Sequence, residues 1–285
     1  MTHEQCSRCT APVSSVEAVC AACGFQLEPP NVRAASSATE RSALNQRCSE
    51  AEAEATRRGE KAAFDDFLER VRQYSRVAVC MPASVARTLI TDARTVFANY
   101  EHLVGAGMRI PAQASSDRHR LGVVGTLFGS YANEIRYGVL TMASETPMGY
   151  GPIACELFER TVASRVSFLE RNSYSFVKEH ELSPSSPIPP GYRAVWDNRH
   201  RLVGAKLGAP LRRGVEQGKW NDLLLRADAD REREDFIEAH IFGGFNLHAI
   251  KRVWVVPSLG SLSRDDALDA EIVLAAFERL SASRS

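Results

Sequence analysis

Nowhere in its 285 residues does the sequence hold a run of roughly 18 uninterrupted apolar residues, the length a membrane-spanning helix requires. Its N-terminus is polar and cysteine-bearing, without the apolar core of a secretory signal. A cytoplasmic protein with no membrane contact is expected. Net charge is missing as well: 35 Lys and Arg balance 35 Asp and Glu, so no overall field draws the chain toward nucleic acid or anionic lipid. A dedicated nucleic-acid role is therefore disfavoured. Neither the phosphate-loop pattern nor the Rossmann glycine fingerprint occurs, and no H-E-x-x-H zinc site, Ser-His-Asp arrangement or internal repeat is evident. A dinucleotide, if bound, must be held without a glycine-rich helix start.

Cysteine is sparse but placed. Four of the seven, Cys6, Cys9, Cys20 and Cys23, follow the pattern C-x2-C, ten residues, C-x2-C. Two residues between paired cysteines let each pair grip an ion from one tight turn, and four thiolates complete the tetrahedron that Zn2+ prefers. A closed ligand set leaves no position for water, so the expected zinc is structural. A redox dithiol or a pair of disulfides is the competing explanation for the spacing. Cys48, Cys80 and Cys155 are scattered and read as small apolar residues in a reducing compartment.

The chain divides into a zinc ribbon over 1–26, a Pro, Ser and Ala bearing linker over 27–40, a helical region over 41–116 and an α+β domain over 117–285. A long helix begins near Ser42 and ends on Phe64, Phe67, Leu68 and Val71; Val77 to Cys80 is a strand or a turn. A second helix is marked by Val85, Leu89, Ala93, Val96, Tyr100 and Leu103. A third is capped by Asp117 and carries Leu121, Val124, Leu127, Phe128 and Tyr131. From Ile135 strand-like segments follow: IRYGVLTM, ACELFERTV, RVSFLER, YSFV, DFIEAHIF and IKRVWVV. A Pro-rich loop over 183–191, a basic helical stretch from Arg193 to Arg213 and a charged segment RADADREREDF interrupt them. Ser263 with Asp266 starts the last helix, with Leu268, Ile272, Ala276 and Leu280 on one side.

Three clusters in the second half point to chemistry: Arg136 in IRYG, Ser173 and Ser175 in RNSYSF, and Glu238 in FIEAHIFGG. Their order resembles the ADP-ribosyltransferase fold of the bacterial toxin type, which presents Arg, then Ser-x-Ser, then Glu around NAD. It is also similar to an uncharacterised bacterial family with a YG after its first strand and E-A-x-I-x-G late in the domain. The resemblance covers about residues 130 to 257 and implies a toxin or effector, active in its own cytoplasm or a target cell's, that cleaves NAD and modifies a protein acceptor. It implies Glu238, Arg136 and Ser173 as catalytic residues, with Arg136, Tyr137, Ser173, Ser175 and His240 around the NAD. Breaking the nicotinamide–ribose bond develops oxocarbenium character that a carboxylate such as Glu238 stabilises. An arginine fork such as Arg136 suits pyrophosphate, and the serines position groups by hydrogen bonding. The chain departs from the pattern at Phe236, where such transferases often carry Glu or Gln. That departure leaves open whether water or a protein is the acceptor.

Each cluster also has a plain structural reading. Arg136 beside Tyr137 reads as a surface cation over a ring, and Ser173 and Ser175 as one polar strand face. His240 reads as a satisfied donor. Glu238 is harder to place that way, because a carboxylate inside an apolar strand is costly unless solvated or paired. The basic stretch GYRAVWDNRHRLVGAKLG suits either a cationic wall facing phosphates, a nucleic-acid surface with Trp196 for stacking, or the solvated side of a helix. The competing function is therefore a non-enzymatic zinc-ribbon protein that binds a protein or nucleic-acid partner.

Overall fold

A computed structural model describes residues 4–98, 115–144, 146–184, 186–209, 211, 219–226, 234–256 and 259–282, with backbone alone at 115–121 and Met148. The N-terminal ribbon pairs β1 (Glu4–Gln5) with β2 (Pro12–Val13). Three helices follow: α1 (Pro30–Ser36), α2 (Ala38–Arg57) and α3 (Lys61–Tyr74). After β3 (Arg76–Met81) come α4 (Ala83–Thr91), α5 (Ser115–Phe128) and β4 (Ile135–Thr141). The chain then forms β5 (Ile153–Leu157), α6 (Glu159–Val162), β6 (Val166–Leu169), α7 (Ser173–Glu179), β7 (Arg193–Val195) and α8 (Arg199–Leu207). It ends with α9 (Trp220–Leu224), β8 (Leu225–Arg226), β9 (Asp235–Phe236), β10 (Glu238–Phe242), β11 (Ile250–Val255) and α10 (Arg264–Ala282).

Seven strands make one antiparallel sheet in the order β11-β5-β3-β4-β10-β6-β7, so the chain is a mixed α and β protein. Side chains alternate between the two faces with period two. One face carries Val77, Val79 and Met81 of β3 with Ile153 and Cys155 of β5. It is buried under Phe64, Phe67 and Val71 of α3, Leu202 and Val203 of α8, and Val273 and Phe277 of α10. Close approach accounts for Gly138 and Gly208. A Cβ on Gly138 would lie 2.7 Å from the Ala78 carbonyl oxygen, and one on Gly208, just past α8, 2.7 Å from the Ala51 Cβ of α2. The opposite face holds the polar groups described below. There Ile135, Leu169 and Phe176 pack under Val124, Leu127 and Phe128 of α5.

Several sequence expectations change here. Residues 27–40 are not a linker: α1 occupies 30–36 and its Asn31, Val32 and Ala35 are buried, because Pro30 starts a helix that lies on the sheet. The boundary at 117 is not structural either, since β3, assigned to the helical region, sits mid-sheet between β5 and β4. YSFV is helix rather than strand: Asn172 caps α7 by accepting from the Tyr174 and Ser175 amides. The second helix stops at Thr91, and its expected members Tyr100 and Leu103 lie outside the described residues. Most of RADADREREDF lies outside them too.

Candidate functional site

Antiparallel partners point to the same face. In the β10–β4 register Glu238 faces Val139 and His240 faces Tyr137, while Ile241 faces Arg136. Glu238, His240 and Tyr137 therefore share the polar face, and Arg136 is turned to the other. There Arg136 is buried, its Nε donating to the Phe97 carbonyl at 3.1 Å and Nη1 to the Asn133 carbonyl at 2.8 Å. It fastens main chain, and its expected place on a common NAD cleft with Glu238 is corrected.

Ser173 does reach Glu238. As the first residue of α7, over the polar face, it gives Glu238 Oε2 both its amide, at 2.9 Å, and its hydroxyl. His240 Nε2 lies 3.0 Å from the same oxygen and 3.2 Å from Ser173 Oγ. Glu238 is only 4% exposed, so one nearly dry carboxylate oxygen gathers three polar partners. This is not a charge-relay triad, because serine and carboxylate meet the same imidazole nitrogen. The His240 ring is held edge-on by Phe128 and Tyr137, at 4.8 and 5.6 Å between centroids. Ser175 sits in the first turn of α7 with its amide on Asn172, apart from the contacts made by Glu238.

Two further residues complete the polar face, and neither was assigned to it from the sequence. Asn31, in the presumed linker, donates through Nδ2 to the His240 carbonyl at 2.9 Å and to Ser167 Oγ at 3.1 Å. Arg193 of β7 pairs with Glu40 at 3.0 Å, and Glu40 also accepts the Arg193 and Gly191 amides. Asn31, Ser167, Arg193 and His240 line a small cavity whose apolar side is Leu127, Phe128, Tyr131, Leu169 and Ile188.

The other described cations of the stretch make hydrogen bonds within the chain. Arg199 donates to Ser75 Oγ and to the Trp196 and Arg72 carbonyls, Arg201 to Asn45, and Lys206 to Asp235 at 2.6 Å. Burial pulls the Lys206 ammonium and the Arg199 guanidinium below their usual ranges, Asp235 opposing the effect at Lys206. No cationic wall is assembled from these residues. Burial raises the Cys48 and Cys155 thiols and pushes Cys80 up to about 12, leaving them poor nucleophiles.

At the N-terminus Cys6, Cys9, Cys20 and Cys23 bring their Sγ atoms within 4.8 Å of one another, with all four thiols free, and can hold a metal ion. Gly24, at φ +68, makes the turn after the second pair. The ribbon is tied to α1: Arg33 Nη2 donates to the Ser14 and Ser15 carbonyls at 3.0 and 2.9 Å. Among the described residues no helix is long and apolar enough to cross a membrane. No protein-family model matches the chain, and no curated protein is significantly similar to it.

Proposed function

We propose that this protein consumes NAD, as an ADP-ribosyltransferase or NAD glycohydrolase, with Glu238 as its working carboxylate. The observation that carries this reading is the meeting of Ser173 and Glu238, 65 residues apart, on one carboxylate oxygen with His240 beside them. Two of the three clusters that resemble the transferase pattern are thereby in contact. Arg136 has no part in the reading, and Arg193, on the polar face, is paired with Glu40 and is not assigned to the pyrophosphate. The bond between the ribose C1′ and the nicotinamide nitrogen breaks, and its electron pair neutralises the pyridinium. With water as acceptor the products are ADP-ribose, nicotinamide and a proton; a protein nucleophile replaces water in the transferase form. Glu238 stabilises the cationic sugar, and Ser173 and His240 fix the carboxylate in place.

The cysteine cluster holds structural zinc in the same proposal. A Zn–S bond of about 2.3 Å gives a tetrahedral edge of about 3.8 Å. The Cys6–Cys23 and Cys9–Cys20 sulfurs are 3.8 and 3.7 Å apart.

Nicotinamide release from NAD by the full chain, compared with Glu238→Gln, tests the reading. A fall of about a hundredfold or more is expected. Equal release by the variant, or none by the parent with water and with protein acceptors, overturns it. The burial of Glu238 favours a second reading, in which the carboxylate is a latch between α7 and β10 of a non-enzymatic binding protein. That reading expects loss of stability in Glu238 variants and no NAD turnover in any of them.

A further inference from the structure

Asn31 and Arg193, which line the cavity beside His240, each carry a buried polar atom without a partner among the described residues, Asn31 Oδ1 and Arg193 Nε. The orientation of the Asn31 amide is fixed, because Nδ2 serves three acceptors: the His240 carbonyl, Ser167 Oγ and, at 3.3 Å, the Arg165 carbonyl. Turning the amide over would set Oδ1 against two carbonyl oxygens. Asn31 is 3% exposed, so a bare acceptor there is costly. Arg193 is likewise committed at Nη2 and its amide to Glu40, while its Nε is buried without a partner among the described residues.

The group that satisfies both atoms must donate to Asn31 and accept from Arg193. The ionised diester phosphates of a dinucleotide offer Asn31 no hydrogen, and any phosphate would sit against the Glu40 carboxylate, which already neutralises Arg193. An ammonium offers Arg193 no acceptor. A hydroxyl does both, in a space of roughly one water molecule. The walls suit the carbon attached to it, since the aromatic Phe128 and Tyr131 are among the lining residues.

We infer that this cavity seats a ribose hydroxyl of the substrate nucleotide, with Asn31 as acceptor and Arg193 as donor. The inference rests on the NAD reading and extends it to two residues outside the clusters that suggested it. His240 joins the two places, its ring on Glu238 and its carbonyl on Asn31.

The test uses the full zinc-loaded chain with ADP-ribose as probe, followed by calorimetry, and D-ribose followed by saturation transfer. Arg193→Lys keeps a cation for Glu40 and removes the Nε donor. Its ADP-ribose affinity is expected to fall about 10- to 100-fold, with the melting temperature nearly unchanged. A second arm keeps the parent protein and removes single hydroxyls from the ribose, at least one of which should weaken binding about tenfold or more. Equal binding by Arg193→Lys and by every deoxy probe overturns the inference, even where nicotinamide release upholds the NAD reading. D-ribose binding that Arg193→Lys abolishes supports a sugar seat, even where the parent releases no nicotinamide. Binding of neither sugar nor nucleotide means the cavity holds water only, and overturns it.

Discussion

Asn31 donates to the main-chain oxygen of His240 at 2.9 Å, joining the first helix after the cysteine ribbon to the strand that carries Glu238. The same amide holds Ser167 of the neighbouring strand, so one side chain spans two strands. Asn31→Asp is isosteric but has no hydrogens to give, and sets a carboxylate against two carbonyls. A loss of about 1–3 kcal/mol is expected, read as a lower urea midpoint at pH 7. An unchanged midpoint would mean that α1 is held without this residue.

Metal removal follows the same path. Arg33 ties α1 to the carbonyls between the two cysteine pairs, so loosening the ribbon loosens α1. One zinc per chain is expected by elemental analysis. After chelation, amide exchange should rise across the ribbon and also over residues 30–36, while the central strands β3 and β5 keep their protection. Exchange confined to residues 4–28 would show that the Arg33 contacts carry no coupling.

At Glu238 chemistry and stability can be separated. Alanine leaves the Ser173 amide, the Ser173 hydroxyl and His240 Nε2 without their common acceptor, and about 2–4 kcal/mol should be lost. Glutamine keeps one oxygen for Ser173, so Glu238→Gln should lose less than half of that in urea denaturation. The catalytic reading expects both variants to lack nicotinamide release despite this difference in stability.

The sequence's legibility was uneven, for physical reasons. The cysteine spacing is local, so the cluster could be read without the fold. Glu238 was visible because a charge within an apolar strand is anomalous wherever it occurs. Arg136 was misplaced because strand alternation shows that neighbours differ in face, while only the register with Ile241 reveals which face each takes. Ser173 and Ser175 alternate with apolar residues as strand residues do, yet the Asn172 cap turns them into a helix start. Asn31 gave no signal and Arg193 stood out only as one cation of a basic stretch, since their partners lie 209 and 153 residues away in the chain. Alanine, serine and proline in residues 27–40 suggested a linker, and the buried side of α1 is too short for periodicity to register.

Acid should weaken the fold through His200. Burial, and then the neighbouring Arg201, Arg199 and Arg72, lower its pKa from the usual 6.5 to about 4, and its Nδ1 is buried without a partner among the described residues. The folded form keeps the ring neutral while the unfolded chain takes up a proton below pH 6.5. Its contribution is therefore whole above 6.5 and is lost as pH falls toward 4. The urea midpoint should drop between pH 7 and pH 5, and His200→Gln should reduce that drop. An identical drop in the variant would assign the acid sensitivity to other groups.

Gly138 tests the sheet beneath the candidate site. It is the glycine of the IRYG segment, and its backbone is ordinary, so conformational freedom is not why it is needed. Space is the reason: an added Cβ would meet the Ala78 carbonyl oxygen at 2.7 Å and side-chain carbons of Val77 and Val79 at 3.3 Å. The oxygen belongs to the next strand and cannot move alone, so β3 and β4 must separate. Gly138→Ala should therefore lose about 1–3 kcal/mol, a fall in melting temperature of roughly 3–10 °C. Tyr137 and Val139, which flank Gly138, face His240 and Glu238 across β10, so the separation should also reach the polar face. NAD turnover that falls further than the unfolded fraction accounts for would show that spread, whereas an unchanged melting temperature would mean that the two strands yield freely at this point.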